Sequence, residues 1–236
     1  MMACLAVLVA ILSVKAAIHT VDTASVGKVR VSCENEDGWT FDVSNAGDDG
    51  ADVVSVKLRS PIDASPPNFK VKFEFDAPGT EHVWLSDCDK IYGFWPRGWR
   101  HKWLNESSLA HETPVAVAFD NDEKSTLAVS ASEVFEKVVY AIYLNESTEA
   151  IGGEFEFFSD YASPRKSYEV RLRFDSRRRF WADAVRDASD WIVKVKGFAI
   201  QESPEAAFEP LYSSWYSFLQ DVEAKPLERE AELAAS

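Results

Sequence analysis

Apolar and polar residues alternate with a period of two over much of this chain. Phe69, Val71, Phe73 and Phe75 fall on one side of an extended backbone, and Lys70, Lys72, Glu74 and Asp76 on the other. Val170, Leu172 and Phe174 alternate with Glu169, Arg171, Arg173 and Asp175. Trp39, Phe41 and Val43 do so against Thr40 and Asp42, and Val54, Val56 and Leu58 against Ser55 and Lys57. Successive side chains of a strand point to opposite faces, so each run predicts a strand with one oily and one wet face, as in an antiparallel sheet covered on one side. Three more runs, 114–119, 127–131 and 138–144, are apolar on both faces and predict inner strands. Turn-forming clusters punctuate them: "SNAGDDG", "DASPPN", "DAPGT", "DNDEK" and "SPRKS". About ten strands so spaced predict a mainly β chain, a large antiparallel β-supersandwich over 18–176.

The period changes after Ser176. Trp181, Val185, Ala188, Ile192 and Val195 recur at helical spacing, with Asp183, Arg186, Asp187 and Asp190 between them. This predicts an amphipathic helix from Arg178 to Lys196, stopped by Gly197. Arg177, Arg178 and Arg179 at its start oppose the helix dipole and read as a solvated or ion-paired face with no function assigned. The helix and a polar linker, "QESPEAAFEP", fill 177–210. Leu211–Phe218 then reads as a strand, and Pro226 opens a helix from Leu227 to Ser236. One strand followed by one helix is the first unit of a βα-repeat domain, so 211–236 is expected to begin a second domain that the chain does not complete.

The 236 residues suffice to bury a sizeable core. A formal net charge of −14 argues against a nucleic-acid partner, because phosphates are repelled, whereas a neutral sugar is indifferent to it. Residues 1–17 contain an apolar run too short to span a bilayer. They resemble the core of a secretory signal with small residues at Ala16 and Ala17, which predicts a secreted or periplasmic protein with no membrane association after processing. The charged leader of such a signal is missing; a buried first strand or a misassigned start, in a cytoplasmic protein, is the other reading. Cys33 and Cys88 either form a disulfide or are two buried thiols.

Chemistry-bearing motifs are few. The histidines lack zinc spacing, and no nucleotide loop or Gly-x-Ser-x-Gly elbow occurs, so no metal or cofactor is expected. Gly152-Gly153 reads as a turn before a strand. "DNDEKS" at 120–125 lacks the central Gly and terminal Glu of a calcium loop and reads as a hairpin turn. The outstanding cluster is "YGFWPRGWRHKWLNESS" at 92–108, where Trp95, Trp99 and Trp103 mix with Arg97, Arg100, His101 and Lys102. Pro96 and Gly98 disfavour a helix and predict a long ordered loop. Its tryptophans either pin the loop to the sandwich or form a sugar-binding rim in which Trp99 stacks on a pyranose and Arg100 satisfies hydroxyls.

The segment Tyr212-Ser213-Ser214-Trp215-Tyr216-Ser217-Phe218 resembles the first barrel strand of family 36 glycoside hydrolases, the melibiase-like α-galactosidases. In that family a Tyr-Ser-Ser/Thr-Trp-Tyr-Ser-Phe motif follows a Pro-containing linker after an N-terminal β-supersandwich. The order of strands, Trp-rich segment and the helix with "ADAVRDASDWI" is similar too. The resemblance implies that 211–236 is the first strand and helix of a truncated (β/α)8 barrel, whose active site lies at the C-terminal ends of its strands. It implies that Trp215 and Tyr216 face the sugar, with Trp215 packed on galactose; Trp215 as filling of the barrel interior is the alternative. Family members are retaining enzymes acting on α-galactoside oligosaccharides through two aspartates roughly 5 Å apart. Both come from later strands, so no residue of this chain is assigned as catalytic, and the chain alone is expected to be inactive. The alternatives are a stand-alone carbohydrate-binding sandwich that uses the Trp95–Trp103 segment, and a structural domain that positions or oligomerises a barrel.

Overall fold

The computed structural model describes residues 21–34, 38–47, 50–86, 97–98, 103–107, 112–145, 148–160, 162–208, 218 and 223–234. Its strands are β1 (Val21–Val26), β2 (Val29–Glu34), β3 (Thr40–Asn45), β4 (Asp52–Ala64), β5 (Phe69–Asp76), β6 (His82–Leu85) and β7 (Arg97–Gly98). They continue with β8 (Trp103–Ser107), β9 (Val115–Phe119), β10 (Ser125–Ala131), β11 (Val138–Asn145), β12 (Ala150–Phe157) and β13 (Arg165–Asp175). Helix α1 (Trp181–Lys196), a 3₁₀ turn (Glu205–Phe208) and helix α2 (Ala224–Ala234) follow. The strands form two antiparallel sheets, one of six in the order β1-β2-β5-β12-β11-β8, the other of seven in the order β3-β4-β13-β10-β9-β6-β7.

The alternating runs face each other across the sandwich. In β5, Phe69, Val71, Phe73 and Phe75 are buried while Lys72, Glu74 and Asp76 are exposed. Phe69 stacks on Phe157 of the neighbouring strand β12 at 4.6 Å, and Phe75 stacks across the sandwich on Phe174 of β13 at 5.1 Å between centroids. Strands β9 and β10 are buried on both faces, as their composition predicts, because each lies between the other sheet and α1. Strand β11 carries the same kind of sequence, but α1 packs on the other sheet, and Tyr143 on the outer face of β11 is only half-buried.

Helix α1 starts at Trp181, three residues later than its spacing predicts, because the preceding backbone is engaged elsewhere. The Ser125 N–H donates to the Arg179 carbonyl at 2.7 Å, and the Ser125 hydroxyl donates to the Arg177 carbonyl at 2.9 Å. Ala184 and Ala188 let the helix approach Val117, Ala128, Val53 and Val115 closely, and Trp181 stacks on Phe119 at 5.4 Å. Gly197 ends the helix in the left-handed region (φ 69°), its N–H donating to the Lys194 carbonyl.

The arginine run is ion-paired, and it ties β13 to α1. Asp175, buried at the end of β13, accepts from Arg177 at 2.7 Å and from Arg179. It lies 3.2 Å from the buried Arg173. Asp187 on α1 receives Arg173 at 2.8 Å and Arg179 at 2.7 Å. Arg178 turns the other way and pairs with Asp120.

The chain divides after Gly197 into two units. In the second unit α2 begins at Ala224 rather than Leu227, with Pro226 in its first turn, where a missing N–H has little consequence. It has no buried residue. The predicted strand Leu211–Phe218 lies outside the described residues except for Phe218, whose backbone is helical.

Candidate functional site

Trp99, Arg100, Trp215 and Tyr216 lie outside the described residues. The Trp-rich cluster is not a loop throughout. Arg97–Gly98 pairs with β6 in the seven-stranded sheet, whereas Trp103–Ser107 pairs with β11 in the six-stranded sheet. The chain therefore passes from one sheet to the other between residues 98 and 103.

The clearest binding geometry lies on the wet face of the six-stranded sheet. Gly152 and Gly153, expected as a turn, sit inside β12 as its third and fourth residues. Gly152 pairs with Tyr143 on one side and with Glu74 on the other. A Cβ on Gly152 would stand 2.4 Å from Tyr143 Cε2 and 2.6 Å from its hydroxyl oxygen, so the Tyr143 ring occupies the space a side chain would fill. Gly153 serves the opposite face: a Cβ there would meet the Phe73 ring at 2.3 Å and the Ala141 carbonyl oxygen at 2.6 Å. Two adjacent glycines thus admit two rings on opposite faces of one strand.

Beside the Tyr143 ring lies a groove of about 330 Å³, bordered by Tyr143, Lys72 and Glu74, and by Lys28 and Arg30 at the β1–β2 turn and start of β2. This is the low end of the ~300–1,000 Å³ typical of small-ligand sites. Two of its cations are neutralised locally. Lys28 binds Asp76 at 2.5 Å, a hydrogen bond and charge that hold the Asp76 carboxyl below its usual range, and Lys72 binds Glu154 at 3.2 Å. Arg30 and Glu74 are exposed and form no ion pair among the described residues. The rim therefore presents one uncommitted donor group, one uncommitted acceptor group and an aromatic ring.

A second cleft, of about 270 Å³, lies beside α1 and includes Trp191, Lys194 and Arg171. Trp191 is only 7% exposed and its ring packs on Val53 and Val115, so it offers a ligand little surface.

No family model matches the chain, and comparison with curated proteins finds no match in sequence. Among solved structures, the chain is similar to an Escherichia coli K12 protein assigned as a candidate aldose 1-epimerase, at 9% identity and a TM-score of 0.40, over 68% of each chain. It is also similar to the 4-alpha-glucanotransferase of Thermococcus litoralis, at 8% identity and a TM-score of 0.32, over 66% of this chain and 22% of that one. Both names denote enzymes that act on carbohydrates.

The buried carboxylates of the described residues are all held in structural roles. Asp120 accepts the N–H groups of Asp122 and Lys124 and closes the β9–β10 hairpin, which is what "DNDEKS" builds. Glu133 accepts those of Phe135 and Glu136 in the turn after β10. Asp175 is enclosed by arginines. Burial alone would raise its carboxyl, but hydrogen bonds from Arg177 and the charges of Arg179 and Arg173 outweigh that and hold it low.

Proposed function

We propose that this chain is the non-catalytic N-terminal portion of a retaining α-galactosidase of the melibiase-like kind, in which the sandwich supports a catalytic barrel. The reading rests on the resemblance of Tyr212–Phe218 to a first barrel strand. The structural observation that supports it is the division after Gly197: α1 closes over the outer face of the seven-stranded sheet, and the chain from Phe198 onward forms a separate unit. Such an enzyme needs two carboxyls roughly 5 Å apart, one of them raised so that it can act as an acid near neutrality. The buried acids among the described residues are instead each tied by backbone N–H groups or arginines.

The purified 236-residue chain, incubated with p-nitrophenyl α-galactopyranoside, should release no nitrophenol above the blank. Steady turnover proportional to protein concentration would overturn the proposal, because catalysis would then reside in residues the reading treats as supportive.

A further inference from the structure

We infer that the groove beside Tyr143 is a binding site for a short neutral oligosaccharide, on the outer face of the six-stranded sheet. Three features select the ligand class. First, the Tyr143 ring lies flat against the strand in the space that a side chain at position 152 would fill, which gives the groove an apolar wall. Such a wall suits the C–H face of a pyranose. Second, the ionised side chains at the rim pair off, Lys28 with Asp76 and Lys72 with Glu154. Arg30 supplies donors only and Glu74 acceptors only, and a hydroxyl can serve both. An anionic ligand would meet Glu74 and a cationic one Arg30, whereas a polyhydroxylated neutral ligand satisfies the two together. Third, the groove lies on the wet face of the sheet among charged neighbours, a poor setting for a lipid or an apolar peptide.

Position also bears on the assignment. Gly152, Tyr143, Glu74 and Arg30 come from β12, β11, β5 and β2, four successive strands of one sheet hydrogen-bonded to their neighbours. A site on paired strands keeps its geometry better than one on loops, and it needs no residue of 99–102 or 211–217. It therefore does not depend on the glycosidase reading, and either can fail alone.

The test is calorimetric titration of the 236-residue chain with raffinose and with maltotriose, in parallel with Tyr143→Ala, Arg30→Ala and Trp99→Ala. The expected result is weak saturable binding of at least one sugar that Tyr143→Ala reduces by roughly 10-fold or more, about 1.4 kcal/mol. Arg30→Ala, an exposed change outside the core, should weaken it by several-fold without altering the melting temperature. Gly152→Ala should act like Tyr143→Ala, because its methyl group displaces the ring. Heat with neither sugar overturns the inference. So does binding that Trp99→Ala abolishes and that Tyr143→Ala and Arg30→Ala leave unchanged; that outcome would place sugar recognition in the Trp-rich segment instead.

Discussion

Replacing Asp175 by alanine is expected to destabilise the sandwich by about 3–5 kcal/mol, the usual consequence of removing one partner from a buried ion pair. The melting temperature should drop by roughly 10 °C. Asp175 is 1% exposed and Arg173, beside it, is 4% exposed, so the variant takes a neutralising carboxylate away from a buried guanidinium. Arg177 and Arg179 lose the same carboxylate, and Asp187 is already shared among the three arginines. The pH dependence follows with its sign. Although burial acts to raise both carboxyls, hydrogen bonds and arginine charges leave Asp175 and Asp187 lowered. A carboxyl held low in the folded state contributes stability that is complete above its ordinary unfolded value, about pH 4, and is lost as the pH falls below it. Thermal melts of the parent chain from pH 7 to pH 2 should therefore show an acid limb that is shallower in Asp175→Ala. Equal melting temperatures for the two proteins at pH 7 would mean that the arginine cluster does not tie β13 to α1.

Gly153→Ala is expected to cost about 2–3 kcal/mol, near the upper end for overpacking a core. A single methyl group is enough because one of its two neighbours cannot yield cheaply. The Phe73 ring, 2.3 Å from the new Cβ, can tilt, but it already packs against Phe75, Phe155 and Phe174. The Ala141 oxygen, 2.6 Å away, belongs to the backbone of the paired strand β11. Chemical denaturation should show a lower midpoint at unchanged slope. A midpoint equal to that of the parent would show that β11 and β12 separate more freely than their ladder implies.

Those two residues also mark where the sequence is legible and where it is not. The runs through Phe69, Val54 and Val170 predict their strands because an oily and a wet face differ sharply along each, and the structure pairs them as one sandwich. Gly152 and Gly153 read as a turn because glycine is the commonest turn residue. Yet Ile151, Gly153, Phe155 and Phe157 continue the inward half of the alternation, with Gly152, Glu154 and Glu156 outward. The period-two pattern running through the glycines was the signal that they lie in a strand with something close above each. Tyr143 was hidden for a related reason. Its run looks inner on composition, but it belongs to the sheet on which α1 does not pack, and it stays half-buried.

The sites suggested by composition and by resemblance, Trp99 and Arg100 together with Trp215 and Tyr216, depend on residues outside the described part of the structure. The helical backbone at Phe218 shows why a short apolar run is hard to assign. Ser213, Ser214 and Ser217 interrupt the aromatics without a clear period of two or of 3.6, so the strand reading of Leu211–Phe218 has only a short apolar run to rest on.

The most direct test of the account is to sequence the transcript through and beyond the codon for Ser236. A frame that continues into seven further strand–helix units, with an aspartate closing each of two of the strands, is the predicted result. A stop codon at that point in the mature transcript would contradict the claim that this sandwich was built to carry a catalytic barrel.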